Sequence, residues 1–118
     1  MKGKIVSIKA NGEKSVVELT KPITLETIKE AVGGGYIELV PGFGSIQWEG
    51  KEWHDCVAFC DEEGKLHNQP FNPYATLLWD ASLRKQGHSL TDGKGNYHDI
   101  LVGDIAVIFG DAELMRTV

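Results

Sequence analysis

The sequence predicts one α+β domain spanning residues 1–118, a mostly antiparallel sheet with two short helices packed on one face. Three observations predict it. The length of 118 residues, with 42% hydrophobic and 25% charged residues, is that of one ordinary globular domain, large enough to fold without disulfide or metal staples. Short β-branched or alternating runs, punctuated by glycine, proline and asparagine, recur along the chain. Two segments carry apolar residues at helical spacing between recognisable caps.

In chain order, Lys4 to Ala10 and Ser15 to Leu19 are rich in β-branched residues and flank Asn11-Gly12-Glu13-Lys14. An Asn-Gly pair tolerates positive φ, so an N-terminal hairpin is expected over residues 4–19. Leu25, Ile28 and Val32 recur at helical spacing, with Thr24 placed to cap the start of a short helix and Gly33 its end. Tyr36 to Val40 reads as a strand that Pro41-Gly42 stops. The stretch from Phe43 to Trp53 reads as a loop or an edge hairpin around Gly50, because two tryptophans alternate with polar residues. Asp55 to Cys60 reads as a strand inside the sheet, followed by a turn at Asp61-Glu62-Glu63-Gly64. Asn72 before Pro73 marks a helix start, since the first helical position needs no N–H, and Tyr74, Leu77, Leu78 and Ala81 then recur at helical spacing up to Gly87. Residues 88–99 are polar, with turn chemistry at Asp92-Gly93-Lys94-Gly95-Asn96. Ile100 to Phe109 should supply one or two core strands bent at Gly103-Asp104, with a short helical turn within residues 111–118.

Several functional classes fail on composition or geometry. No apolar run approaches the roughly 20 residues that cross a bilayer, and the first residues lack the pattern of a secretory leader, so a cytoplasmic protein is expected. The net charge of −5 opposes general nucleic-acid binding. Five of the 12 basic residues fall in residues 1–21, against two of the 17 acidic ones, so any affinity for duplex DNA should be weak and salt-sensitive. Cys56 and Cys60, read as strand residues, would stand about 13 Å apart, too far for a disulfide or a shared metal. Reduced, buried thiols are expected, with no metal and no cofactor. Gly33-Gly34-Gly35 follows a helix instead of preceding one, which is the wrong end for a phosphate. The loop at Asp92 puts Lys94 at a calcium-ligand position and Gly103 where a bidentate glutamate belongs. His54-Asp55 and His98-Asp99 place a base beside a carboxylate, and Cys56 is a nucleophile two residues from His54. Adjacent strand residues point to opposite faces, so neither pair can orient its histidine without a turn.

The run Leu25 to Val40, the segment Cys60-Asp61-Glu62-Glu63-Gly64-Lys65-Leu66, the segment Asn68-Gln69-Pro70-Phe71-Asn72 and the end Gly103-Asp104-Ile105-Ala106-Val107-Ile108-Phe109-Gly110 occur together in that order. In this they resemble a small family of domains of unknown function found in bacteriophage and plasmid genomes. The resemblance covers most of residues 25–110, with 43–53 and 84–99 as local elaborations. It implies an accessory protein of a mobile element and carries no catalytic residues to transfer.

A non-enzymatic binding module is therefore the expected function, a phage accessory protein that binds or inhibits a host factor. A host protein is the expected partner, with Trp48 and Trp53 as candidate contact residues because exposed aromatic anchors dominate binding hot spots. The competing readings are sequestration of a small nucleotide or metabolite, and a cysteine hydrolase using His54 and Cys56. Trp79, flanked by apolar residues in the second helix, is expected in the core.

Overall fold

The first turn forms as its chemistry dictates. Gly12 adopts φ of +92°, its N–H reaches the Lys9 carbonyl, and the Asn11 side chain accepts the Glu13 N–H. That turn joins strands β1 (Gly3–Ile8) and β2 (Lys14–Leu19) in the computed structural model, which describes all 118 residues. The chain continues through helix α1 (Leu25–Val32), β3 (Ile37–Leu39), β4 (Ser45–Trp48), β5 (Lys51–His54), β6 (Val57–Asp61), α2 (Pro73–Lys85), β7 (Ile105–Gly110) and α3 (Ala112–Met115). Five strands make one antiparallel sheet in the order β2-β1-β7-β6-β3, and β4 and β5 pair separately as a hairpin. No helix is long and apolar enough to cross a membrane.

The α+β class and the antiparallel sheet are as expected, but the helices divide between the two faces of the sheet. On one face α1 lays Ile28 and Val32 on Ile5, Ala106 and Ile108, joined by Leu114 of α3. On the other, Trp79 and Ala75 of α2 and Ile46 of the β4–β5 hairpin cover Val6, Ile8, Val107 and Phe109. The cause lies in the central strands: every residue from Ile105 to Phe109 is fully buried, and a strand apolar on both sides needs cover on both sides.

Helix α1 has the expected bounds, with the Thr24 hydroxyl accepting the Thr27 N–H and Gly33 closing the end at φ of +98°. Helix α2 starts at the expected Asn72, but its buried face is not the expected one. Tyr74, Leu77 and Ala81 are exposed, whereas Thr76, Asp80 and Ser82 face inward. Each inward polar group holds a loop: the Thr76 hydroxyl accepts the Leu101 N–H, Asp80 accepts the Leu90 N–H, and the Ser82 hydroxyl accepts the Gly44 N–H while donating to the Gly42 carbonyl. Burial of polar groups is tolerated because each is bonded.

Two strand boundaries also shift. Asp55 adopts φ of +57° and breaks the chain between β5 and β6, so the interior strand begins at Val57. Gly103, at φ of +69°, separates β7 from Ile100 to Val102, of which Val102 alone makes a bridge, to Phe71.

Candidate functional site

The stretch from Phe43 to Trp53 is a hairpin, closed by Glu49 and Gly50 at φ of +50° and +77°. Two successive positive φ values twist a two-residue turn to match its strands. The register sets Ile46 opposite Trp53 and Trp48 opposite Lys51, so these four side chains share the face turned to the sheet. Both Trp48 and Trp53 are half-buried and lean on Phe109, with ring centroids 6.4 and 5.0 Å away. Lys51 Nζ lies 3.9 Å from the Trp53 ring centroid and Lys14 Nζ 5.6 Å from that of Trp48, both within cation–π range. The indole Nε1 of Trp48 is buried with no acceptor.

Between this hairpin and the β1–β2 edge lies an open groove of about 640 Å³, bounded by Trp53, Phe109, Lys2, Gly3, Lys4, Glu18 and Asp111. Glycine at position 3 keeps β1 close to its neighbours, since a Cβ there would strike the Leu114 side chain and the Phe109 carbonyl. Its charges are partly tied. Lys4 Nζ sits 3.0 Å from Glu18, and that hydrogen bond raises the lysine pKa. Asp111 accepts the Leu114 N–H and lies 3.7 Å from the N-terminal ammonium, which holds its carboxyl below the usual range against the opposing effect of desolvation. The N-terminal ammonium, bonded to Glu113 and close to Asp111, is raised in turn.

Of the residues named for hydrolysis, His54 and Cys56 line one open cleft with Asp55, and the hydrogen bond of the thiol goes to a backbone carbonyl. Cys56 is buried and donates to the Trp53 carbonyl at 3.4 Å, and burial, reinforced by Asp55, pushes its thiol up to about 11. Cys60 is raised to about 11 as well, by burial first and then by Glu38 and Asp61. A thiol so raised is a poor source of thiolate at neutral pH. His54, Asp55, His98 and Asp99 are all exposed, and Asp99 binds Lys65 instead of a histidine. No group of three or more histidine, cysteine or acidic side chains is close enough to hold a metal ion.

Trp79 is in the core as expected, 5% exposed, with its Nε1 donating to the Pro41 carbonyl at 2.7 Å. The groove also takes in Lys2, Gly3, Lys4, Glu18 and Asp111, which sequence reasoning did not connect with the tryptophans because strand pairing across the whole chain brings them together.

No curated protein and no solved structure matches the chain. A family model described as Domain of unknown function (DUF3846) matches residues 1–115, and the chain belongs to that family.

Proposed function

We propose that the domain is a non-enzymatic binding module that holds a segment of a partner protein in the groove between Trp53 and the β1–β2 edge. The observation that carries this reading is the groove itself, open to solvent and walled by the half-buried Trp53, which rests on the fully buried Phe109. Lys4 is paired with Glu18, whereas Lys2 pairs with no carboxylate of the chain and remains free to meet one on a partner. The segment that fits is therefore an apolar side chain flanked by an acidic residue. The family resemblance adds the setting: an accessory protein of a phage or plasmid acting on a host factor in the bacterial cytoplasm.

The test is affinity capture from bacterial lysate with the wild-type chain, identification of the retained protein, and calorimetric titration of that purified protein against Trp53→Ala and Lys2→Glu. Trp53→Ala should cost about 2 kcal/mol of binding or more, as anchors in interfaces do. Because Trp53 is only half-buried, its loss should lower stability by less than Trp79→Ala, for which about 3–5 kcal/mol is expected. Unchanged affinity of both groove variants would refute the proposal.

A further inference from the structure

The two edges of the five-stranded sheet are treated differently. On one side β3 is three residues long and Pro41 follows closely, which blunts that edge against further pairing. On the other, β2 runs for six residues with no proline, and Lys14 to Glu18 are all exposed. Val16 and Val17 are 43% and 52% exposed at its middle.

The phase of the ladder tells which backbone groups of β2 are free. Lys9 donates to the Glu13 carbonyl, and on the far side of β1 Asp111 donates to the Lys2 carbonyl. Hydrogen-bonded pairs alternate along antiparallel strands, so odd-numbered residues of β1 bond β2 and even-numbered ones bond β7. Ser15, Val17 and Leu19 are thus committed to β1, while the N–H and C=O groups of Lys14, Val16 and Glu18 point outward from the sheet.

We propose that β2 pairs antiparallel with β2 of a second copy of this chain, about a two-fold axis at Val16, joining the two sheets into one. In that register Val16 meets Val16, Ser15 meets Val17, and Lys14 of each copy stands opposite Glu18 of the other. Opposite charges directly across a strand pair stabilise it. The three residues with free backbone groups are the three brought into hydrogen-bonded pairs, so phase and charge select the same register. Sliding one copy by two residues sets Lys14 against Val16 or Thr20 and loses the charge match. Lys14 and Glu18 already straddle the face that carries the tryptophan hairpin, since they pair across β1 with Ile8 and Lys4. A two-fold axis normal to the sheet keeps both hairpins on the same face, so the dimer presents two grooves side by side. The dimer stands whether or not the groove takes the partner proposed above.

Sedimentation equilibrium of the full chain over about 1 μM to 1 mM tests this, because an edge of a few residues yields a dimer that dissociates on dilution. Lys14→Glu and Glu18→Lys should each weaken dimerisation about tenfold or more, and the double variant should return it to within about threefold of wild type, because the swapped charges again face each other. Val16→Pro removes an outward N–H that the fold does not use and should abolish the dimer while circular dichroism stays native. In a Cys60→Ser background, Val16→Cys should form an intermolecular disulfide on oxidation, since facing residues of a hydrogen-bonded pair lie about 5.5 Å apart at Cα, whereas Ser15→Cys should not. A chain that stays monomeric throughout leaves the edge to a strand of another protein and overturns the proposal. So does a dimer indifferent to both Lys14→Glu and Val16→Pro.

Discussion

Replacing Asn72 separates two roles that the sequence merges. As the residue before Pro73 it is a helix cap, and its Oδ1 accepts the Ala75 N–H at 3.0 Å. The side chain is also fully buried, and its Nδ2 donates to the carbonyls of Ile8 and Gly103 at 2.9 and 2.8 Å. One amide therefore ties the end of β1, the start of α2 and the bend before β7. Asn72→Ala should lose about 1 kcal/mol for the cap and roughly 1–1.5 kcal/mol for each of the two bonds to carbonyls, about 3–4 kcal/mol in all. That is a large part of the roughly 5–15 kcal/mol that holds a domain folded.

Asn72→Asp discriminates between the roles. Aspartate caps a helix about as well as asparagine, so a residue that only caps would tolerate the change with little loss. In this site the new carboxylate would face two carbonyl oxygens, and the cost at pH 7 should equal or exceed that of Asn72→Ala. The surroundings disfavour the ionised form, so the folded-state pKa of the introduced carboxyl is raised. Protonation restores a donor, and the deficit relative to wild type should shrink as pH falls from about 7 towards 4 and grow again as it rises. Urea denaturation of the three proteins at several pH values measures this. A stability for Asn72→Asp within about 1 kcal/mol of wild type at pH 7, or a deficit that does not narrow in acid, would refute the reasoning.

Asp80 is 7% exposed, and desolvation opposes its ionisation, but the Leu90 N–H, Arg84 and the Ser89 hydroxyl outweigh that and hold its carboxyl below the usual range. A depressed folded-state pKa stabilises above the unfolded value and is lost in acid, so Asp80→Asn should lower the melting temperature at pH 7 and by less below about pH 4; a pH-independent difference would contradict it. Both thiols, raised to about 11, should alkylate slowly at pH 8, faster as pH approaches that value and at once in denaturant; rapid native labelling at pH 7 would count against it. Gly3 and Gly110 face each other across β1 and β7 beneath Leu114, and a Cβ on Gly110 would strike the Gly3 Cα and the Lys2 carbonyl as well as Leu114, so Gly110→Ala should cost about 1–3 kcal/mol by overpacking, read from a urea midpoint; a neutral change would show that the β1 backbone and Leu114 can both give way.

What the sequence made legible was local. The Asn11-Gly12 turn, the Thr24 and Gly33 caps and the Asn72-Pro73 start each depend on a few adjacent residues, and each stands where it was expected. The helix faces were not local. On α2 the apolar residues Tyr74, Leu77, Leu78 and Ala81 suggested an inward stripe, whereas the polar Thr76, Asp80 and Ser82 are the ones buried. Their burial is set by loops at 42–45, 88–90 and 101 that contribute bare N–H groups, which no periodicity in the helix reveals. The unbroken apolar run Ile105 to Phe109 did hold the signal that both sheet faces are covered, because a strand open on one side would alternate. The groove was legible only in Trp53, since its remaining residues converge through strand register and Trp48, the other candidate, does not line it.

The polar inner face of α2 bears directly on the groove. Its tryptophan wall belongs to the β4–β5 hairpin, which shares no backbone ladder with the main sheet and so needs other anchors. Ser82 and Gln86 hold the Gly42 carbonyl, Ser82 also takes the N–H groups of Gly44 and Ser45, Trp79 bonds Pro41, and Lys85 pairs with Glu52. Phe109 then meets both tryptophan rings from below. An apolar α2 would pack on the sheet but strip these partners from the Pro41 and Gly42 carbonyls and the Gly44 and Ser45 N–H groups, and loosen the hairpin over Phe109. Thus the residues that look misplaced on α2 fix the angle at which Trp53 stands over the β1–β2 edge, and the width of the groove is set from a helix that does not line it.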